Sequence, residues 1–85
     1  MWLITKDLLD DSDSVGVSSR DYEDEKRAQL TNRFRLLDGD REVYFEGISD
    51  DGESEDAFAP LDDFGEGYAG CAFIEYFERG VWTQL

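Results

Sequence analysis

The sequence predicts an α+β fold. The expected architecture is a two-layer sandwich: a mainly antiparallel, four- to five-stranded sheet with two short helices on one face, in the order β-α-β-β-α-β-β. Three observations predict it. Short runs in which apolar residues alternate with polar ones carry the period of half-buried strands. Two pairs of these runs, flanking "DGDR" and "ERG", are joined by turn-forming residues at hairpin length. Two other stretches, 18–30 and 54–64, space their apolar residues as helices do. Helices interspersed among hairpins pack most simply on one face of an antiparallel sheet. At 85 residues the chain makes a single domain, 1–85, that buries about 60–65% of the surface its unfolded form exposes.

Residues 2–9 read as the first strand, with β-branched and aromatic residues near its start. "DDSDSVG" follows as a loop, because Asp and Ser bond local backbone and Gly permits unusual φ angles. "SSRDYEDEKRAQL", Ser18 to Leu30, has a helix's charge order. Ser18 or Ser19 can cap it, Asp21, Glu23 and Asp24 lie near its start, and Lys26 and Arg27 lie toward its end. Its apolar stripe, Tyr22 and Leu30 with Lys26 between, is thin.

"NRFRLLDGDREVYFEGIS" reads as a hairpin with a four-residue loop, Asp38 to Arg41. Leu37 then pairs with Glu42, Leu36 with Val43, Arg35 with Tyr44, Phe34 with Phe45 and Arg33 with Glu46. That register matches apolar to apolar and opposite charge to opposite charge, and it engages two cations within the sheet. Ser54 is the expected N-cap of the second helical region, with Glu55 and Asp56 in its first turn. Ala57, Phe58, Leu61 and Phe64 form its apolar face. Pro60 predicts either two short helical turns or one kinked helix, and Gly65 is the expected stop. "GCAFIEYFERGVWTQL" closes the chain as a second hairpin. Its turn is Arg79-Gly80 or Glu78-Arg79-Gly80. The longer form is preferred because Arg disfavours positive φ, and it pairs Tyr76 with Trp82. Trp2, Tyr44, Tyr76 and Trp82 do not all fit the helix-covered face, so some are expected at edges of the core or in an exposed aromatic patch.

The chain has no His. That removes the commonest general base, the commonest metal ligand and every Ser-His or Cys-His dyad. Neither phosphate-binding glycine motif is present, and the single Cys cannot build a structural zinc site or an internal disulfide. Cys71, within the apolar run "GCAFIEYF", reads as a buried and inert thiol. The two acidic loops fail as calcium loops. With Asp11 at position 1 of an EF-hand, Val15 falls at position 5 and Tyr22 at position 12. With Asp51 at position 1, Asp56 takes the place of the required Gly. The expectation is therefore no enzyme, no metal and no cofactor. "MWLITKDLLDD" lacks the pattern of a secretory signal, and no apolar run nears the ~18–20 residues of a membrane span. A soluble, cytoplasmic protein is expected.

Charge is the strongest feature, a net −14 at pH 7. Residues 1–43 hold 11 acidic and 7 basic groups, whereas residues 44–85 hold 11 acidic groups and Arg79 alone. "ISDDGESEDAFAPLDDFGEG", from Ile48 to Gly67, carries Asp50, Asp51, Glu53, Glu55, Asp56, Asp62, Asp63 and Glu66 without one cation. Neighbouring like charges repel, so this composition opposes folding. Nucleic acid and anionic lipid repel such a protein, and basic surfaces attract it. Duplex DNA carries one charge per ~1.7 Å of axis, so the net charge equals that of ~24 Å of duplex, close to the diameter of a domain whose radius of gyration is ~12 Å. Arg pairs with carboxylate much as with phosphate. The partner-binding surface is thus expected along Asp50 to Glu66, extended by Asp10, Asp11 and Asp13 if the first loop lies beside it.

The phrases "RFRLLD", "EVYFEG", "AFAPLDDFG" and "CAFIEY", spread through residues 33–85, resemble parts of small uncharacterised acidic proteins of bacteria and their mobile elements. That resemblance carries no catalytic or binding residue with it. In size and charge the chain is similar to DNA-mimic inhibitors of the anti-CRISPR and antirestriction type. The expected function is a non-enzymatic inhibitor that occupies the basic site of a nucleic-acid-binding protein or complex, most concretely an anti-CRISPR protein that blocks target DNA. It touches neither nucleic acid nor membrane itself. The alternative is an adaptor or regulatory module that binds a protein through an aromatic sheet face, including Tyr44, Tyr76 and Trp82, with the acids serving solubility.

Overall fold

The computed structural model describes residues 1–9, 12–13 and 17–85, with Ser12 and Asp13 described in their backbone alone. Six strands form one antiparallel sheet: β1 (Trp2–Asp7), β2 (Ser12–Asp13), β3 (Asn32–Leu37), β4 (Val43–Ser49), β5 (Phe73–Glu78) and β6 (Val81–Gln84). Their spatial order is β2-β1-β4-β3-β5-β6. The α+β class and the antiparallel sheet are as expected. The added strand is β2, two residues that pair Lys6 with Asp13 and Asp7 with Ser12 along the outer edge of β1. Val17 to Ser19 cover the rest of that edge: Ile4 N donates to Val17 O at 2.8 Å, Ser19 N donates to Trp2 O at 3.0 Å, and Leu3 bridges Ser18.

That pairing explains why no helix starts at Ser18. Both serines are taken by β1, and Ser19 Oγ accepts from the Trp2 N–H at 2.9 Å. Downstream, the expected helix is a 3-10 helix, Asp24–Gln29, none of whose residues is buried. With one aromatic and one Leu in its stripe, it has no apolar face to set on the sheet, so the second layer comes from a single helical region. That region runs through a 3-10 helix (Glu55–Phe58), a π-helix (Leu61–Gly65) and α1 (Glu66–Ala69). Ser54 caps it as expected, accepting from Asp56 N. Gly65 does not stop it. A Cβ there would lie 2.9 Å from Leu36 Cδ1 and 3.2 Å from Cys71 Cβ, so this glycine permits the helix to lie close on β3. The stop is Gly70, in the left-handed region at φ 70°.

The core lies between this helical region and one sheet face. Trp2, Ile4, Phe34, Leu36, Phe45, Ile74 and Tyr76 meet Ala57, Leu61 and Cys71 there. Tyr76 Oη donates to the Ala57 carbonyl at 2.8 Å, which ties the start of the helical region to β5. Phe34 and Leu36 project inward from β3, and the pleat sends Arg33 and Arg35 to the opposite face.

Both hairpins depart from the expected register. In the first, Leu37 pairs with Val43, and a shift then sets Leu36 against Phe45, Arg35 against Glu46, Phe34 against Gly47 and Arg33 against Ile48. The loop is longer because Asp38 organises it: its Oδ1 accepts from the N–H groups of Asp40 and Glu42, each at 2.9 Å. In the second, the turn is the two-residue Arg79-Gly80, with φ 52° and 84°. Phe77 pairs with Trp82, and Tyr76 with Thr83. Two positive φ values give a turn whose twist matches that of its strands, and this outweighs the reluctance of Arg to adopt one.

Candidate functional site

The cations largely leave the acidic segment to itself. On the sheet face opposite the helical region, Arg35 Nε donates to Glu75 Oε1 at 2.7 Å and Arg41 Nη1 donates to Glu75 Oε2 at 3.4 Å. Arg41 Nη2 donates to Gln84 Oε1 at 2.6 Å. The same guanidinium groups lie over rings: Arg35 4.4 Å from the Trp82 centroid, Arg33 4.9 Å from Phe77 and Arg41 4.4 Å from Phe73. Three arginines thus stack on aromatics, and two share one buried carboxylate. The anticipated cross-strand pairs of Arg33 and Arg35 are replaced by this lattice because the register moved. Lys26 pairs with Glu23, the residue that precedes its own 3-10 helix, at 3.3 Å. The lattice occupies part of the aromatic face that an adaptor would use, and Phe77 there remains exposed. Trp82 lies beneath Arg33 and Arg35, and Tyr76 faces the other way and is buried.

The acids from Asp50 to Glu66 divide into two kinds. Asp50 and Asp51 belong to the turn that leads into the helical region. Asp50 Oδ1 accepts from the N-terminal ammonium at 3.1 Å. Asp51 Oδ1 accepts from the N–H groups of Glu53 and Ser54, each at 2.9 Å, and its Oδ2 accepts from the Ser54 hydroxyl. Those bonds, the Ser54 hydroxyl first, hold the Asp51 carboxyl down at about 2. Asp51 therefore organises the turn, and Asp50 holds Met1 beside it. Glu53, Glu55, Asp56, Asp62, Asp63 and Glu66 are exposed, and among the described residues none of the six makes an ion pair. Their placement follows from the winding. Ala57, Leu61 and Gly65 face the core, which turns the acids between them outward. Among the described residues no group of three or more carboxylates is close enough to hold a metal ion.

Asp10 and Asp11 lie outside the described residues, as does the side chain of Asp13. The expected extension of the surface onto the first loop falls there. The structure instead brings another segment to the acids. A groove of about 910 Å³ separates the beginning of β1 and residues 17–21 from the helical region. Asp56, Asp62 and Asp63 line one side and Asp21 the other, with Trp2 and Phe64 between them. Asp21 is held below the ordinary carboxylate range, chiefly by the Ser19 hydroxyl and also by the N-terminal ammonium, 3.5 Å away. Arg20 also lines the groove. Phe64 packs edge-on to Phe45 at 4.9 Å and stacks on the exposed Tyr68 at 5.0 Å. Asp21 is missing from the expected site because nothing local marks it. In sequence it is one of several acids near a supposed helix start, and only the pairing of Ser18 and Ser19 with β1 carries it to the groove.

Among the described residues no helix is long and apolar enough to cross a membrane. No family model, curated protein or solved structure matches the chain.

Proposed function

We propose that this chain is a non-enzymatic inhibitor that occupies the basic nucleic-acid-binding site of a partner protein, acting as a mimic of DNA. The observation that carries this reading is the separation of charge across the sheet. Glu53, Glu55, Asp56, Asp62, Asp63 and Glu66 are exposed on the helical side and make no ion pair among the described residues, while Arg33, Arg35 and Arg41 are held on rings and on Glu75 on the other. Exposed carboxylates fixed on a folded body suit a groove built for phosphates, because a guanidinium pairs with either anion in the same bidentate manner. Size and charge agree with DNA-mimic inhibitors carried by phages and plasmids, and an anti-CRISPR protein that blocks target DNA is the most concrete form.

The test is retention of a partner on immobilised protein, with salt and duplex DNA as competitors, followed by the partner's own DNA-binding assay. A partner released by both competitors, whose DNA binding this protein inhibits, is the expected outcome. Reversal of Glu55, Asp62, Asp63 and Glu66 to Lys should abolish inhibition in protein that still folds. Asp51 is left intact because it holds its turn. A partner retained in high salt and indifferent to DNA overturns the reading.

A further inference from the structure

We propose that the free edge of β6 is a self-association surface, where a second copy of this chain adds its own β6 antiparallel and joins the two sheets into one. The inference goes beyond the inhibitor reading and does not rest on it.

The edge is open in a sheet whose other edge is covered. β2 and residues 17–19 lie along the outer side of β1, whereas β6 ends the sheet with β5 as its one neighbour among the described strands. Leu85 N donates inward to Ile74 O at 3.1 Å. Main-chain groups alternate in direction along an antiparallel strand. Val81 and Thr83 therefore also face β5, and the N–H and C=O groups of Trp82 and Gln84 face outward. Those outward groups have no partner among the described residues. Proteins commonly blunt such an edge with a charge, a proline or a bulge. β6 has none of these. Val81, Trp82, Thr83 and Gln84 make it the one described strand without a charged residue, in a chain of net charge −14. Val81 is 59% exposed.

The residues of the edge select its occupant. Antiparallel pairing about a two-fold axis at Thr83 brings the outward groups of Trp82 to those of Gln84 in the second copy, and the reverse, so each pair exchanges both of its main-chain bonds. Thr83 then faces Thr83 of the second copy, and Val81 faces its Leu85. Hydroxyl meets hydroxyl and apolar meets apolar, pairings that stabilise neighbouring strands. On the arginine face, the Trp82 ring lies 4.4 Å from the Arg35 guanidinium, and Gln84 accepts from Arg41 at 2.6 Å. The register sets Trp82 of one copy beside Gln84 of the other, so the lattice continues across the junction. The groove acids are remote from it. Asp56, Asp62 and Asp63 stand beside the start of β1, and β4, β3 and β5 separate β1 from β6, about 19 Å at ~4.8 Å per strand. That exceeds the Debye length of ~8 Å at physiological ionic strength, so repulsion between these acids is screened across the contact. A basic partner is drawn to the acids and finds no charge to meet on β6, whereas a second copy finds a matching edge.

The experiment is sedimentation equilibrium of the full chain, from micromolar to millimolar concentration, at low and at high salt. So short a contact buries less than a standard interface, and the expected result is a weak monomer–dimer equilibrium. Salt should strengthen it by screening the repulsion of two acidic bodies, the opposite of its effect on binding to a basic partner. Thr83 is exposed, so Thr83→Lys and Thr83→Glu should each fold, which circular dichroism checks. Each variant alone sets like charges across the axis and should weaken association on the order of tenfold. Mixing the two variants should restore the dimer, because the opposed charges then attract. A monomer at every concentration and salt, a dimer unchanged in both variants, or a mixture that stays as weak as its components overturns the edge pairing. Each of those results leaves the inhibitor reading intact, since that reading stands on a basic partner and its release by DNA.

Discussion

Phe34 lies across the backbone of Gly47, its cross-strand partner on β4. A Cβ at Gly47 would also stand 2.5 Å from the Leu3 carbonyl oxygen. Neither neighbour is the free end of a flexible side chain, since Phe34 is fully buried and the Leu3 oxygen belongs to the adjacent strand. Gly47→Ala should therefore lower stability by about 1–3 kcal/mol, the usual penalty for overpacking, read from denaturant unfolding. Little or no loss would mean that the register given for β3 and β4 is wrong. The same close approach explains why Phe34 could not be placed from sequence. Alternation assigns it to the core face, but matching apolar to apolar sets it against Phe45. The structure sets it against a glycine, whose missing side chain makes room for the ring.

The turn between β4 and the helical region shows how an element depends on one ionised group. Asp51 accepts from two backbone N–H groups and from the Ser54 hydroxyl, and Ser54 in turn caps the helical region through Asp56 N. With the Asp51 carboxyl lowered to about 2 in the folded state, the unfolded chain binds its proton more readily. The stabilisation is therefore complete above the ordinary Asp value and is lost as pH falls from about 4 through 2. Asp51→Asn should flatten that part of the stability profile, and thermal unfolding measured across that range checks it. An unaltered acid limb would show that the turn does not depend on the carboxylate. The cap at Ser54 was legible because it is local. The length of the helical region was not, because Gly65 reads as a stop in isolation and becomes a packing residue only against Leu36 and Cys71.

At the scale of the molecule, a net charge of −14 sits on a body with a radius of gyration of 11.6 Å and extents of 35 × 27 × 22 Å. These dimensions compare with the ~24 Å of duplex that carries the same charge. Long-range attraction to a basic partner should then govern encounter. Association measured by stopped flow should slow on the order of 100-fold from low to high salt, as steering is screened, while dissociation changes less. A salt-independent association rate would count against the acidic surface as the recognition element.

The α+β class, the two hairpins, the Ser54 cap and the acidic segment could be read directly from the sequence, because periodicity, turn chemistry and charge are properties of neighbouring residues. Register, the failed first helix, the arginine lattice and the groove could not. Each depends on segments far apart in the chain coming together: Ser19 bonds Trp2, Arg35 bonds Glu75, and Asp21 and Asp62 line one groove. Only the folded sheet decides which carboxylates are left without partners, because it alone determines where the cations go.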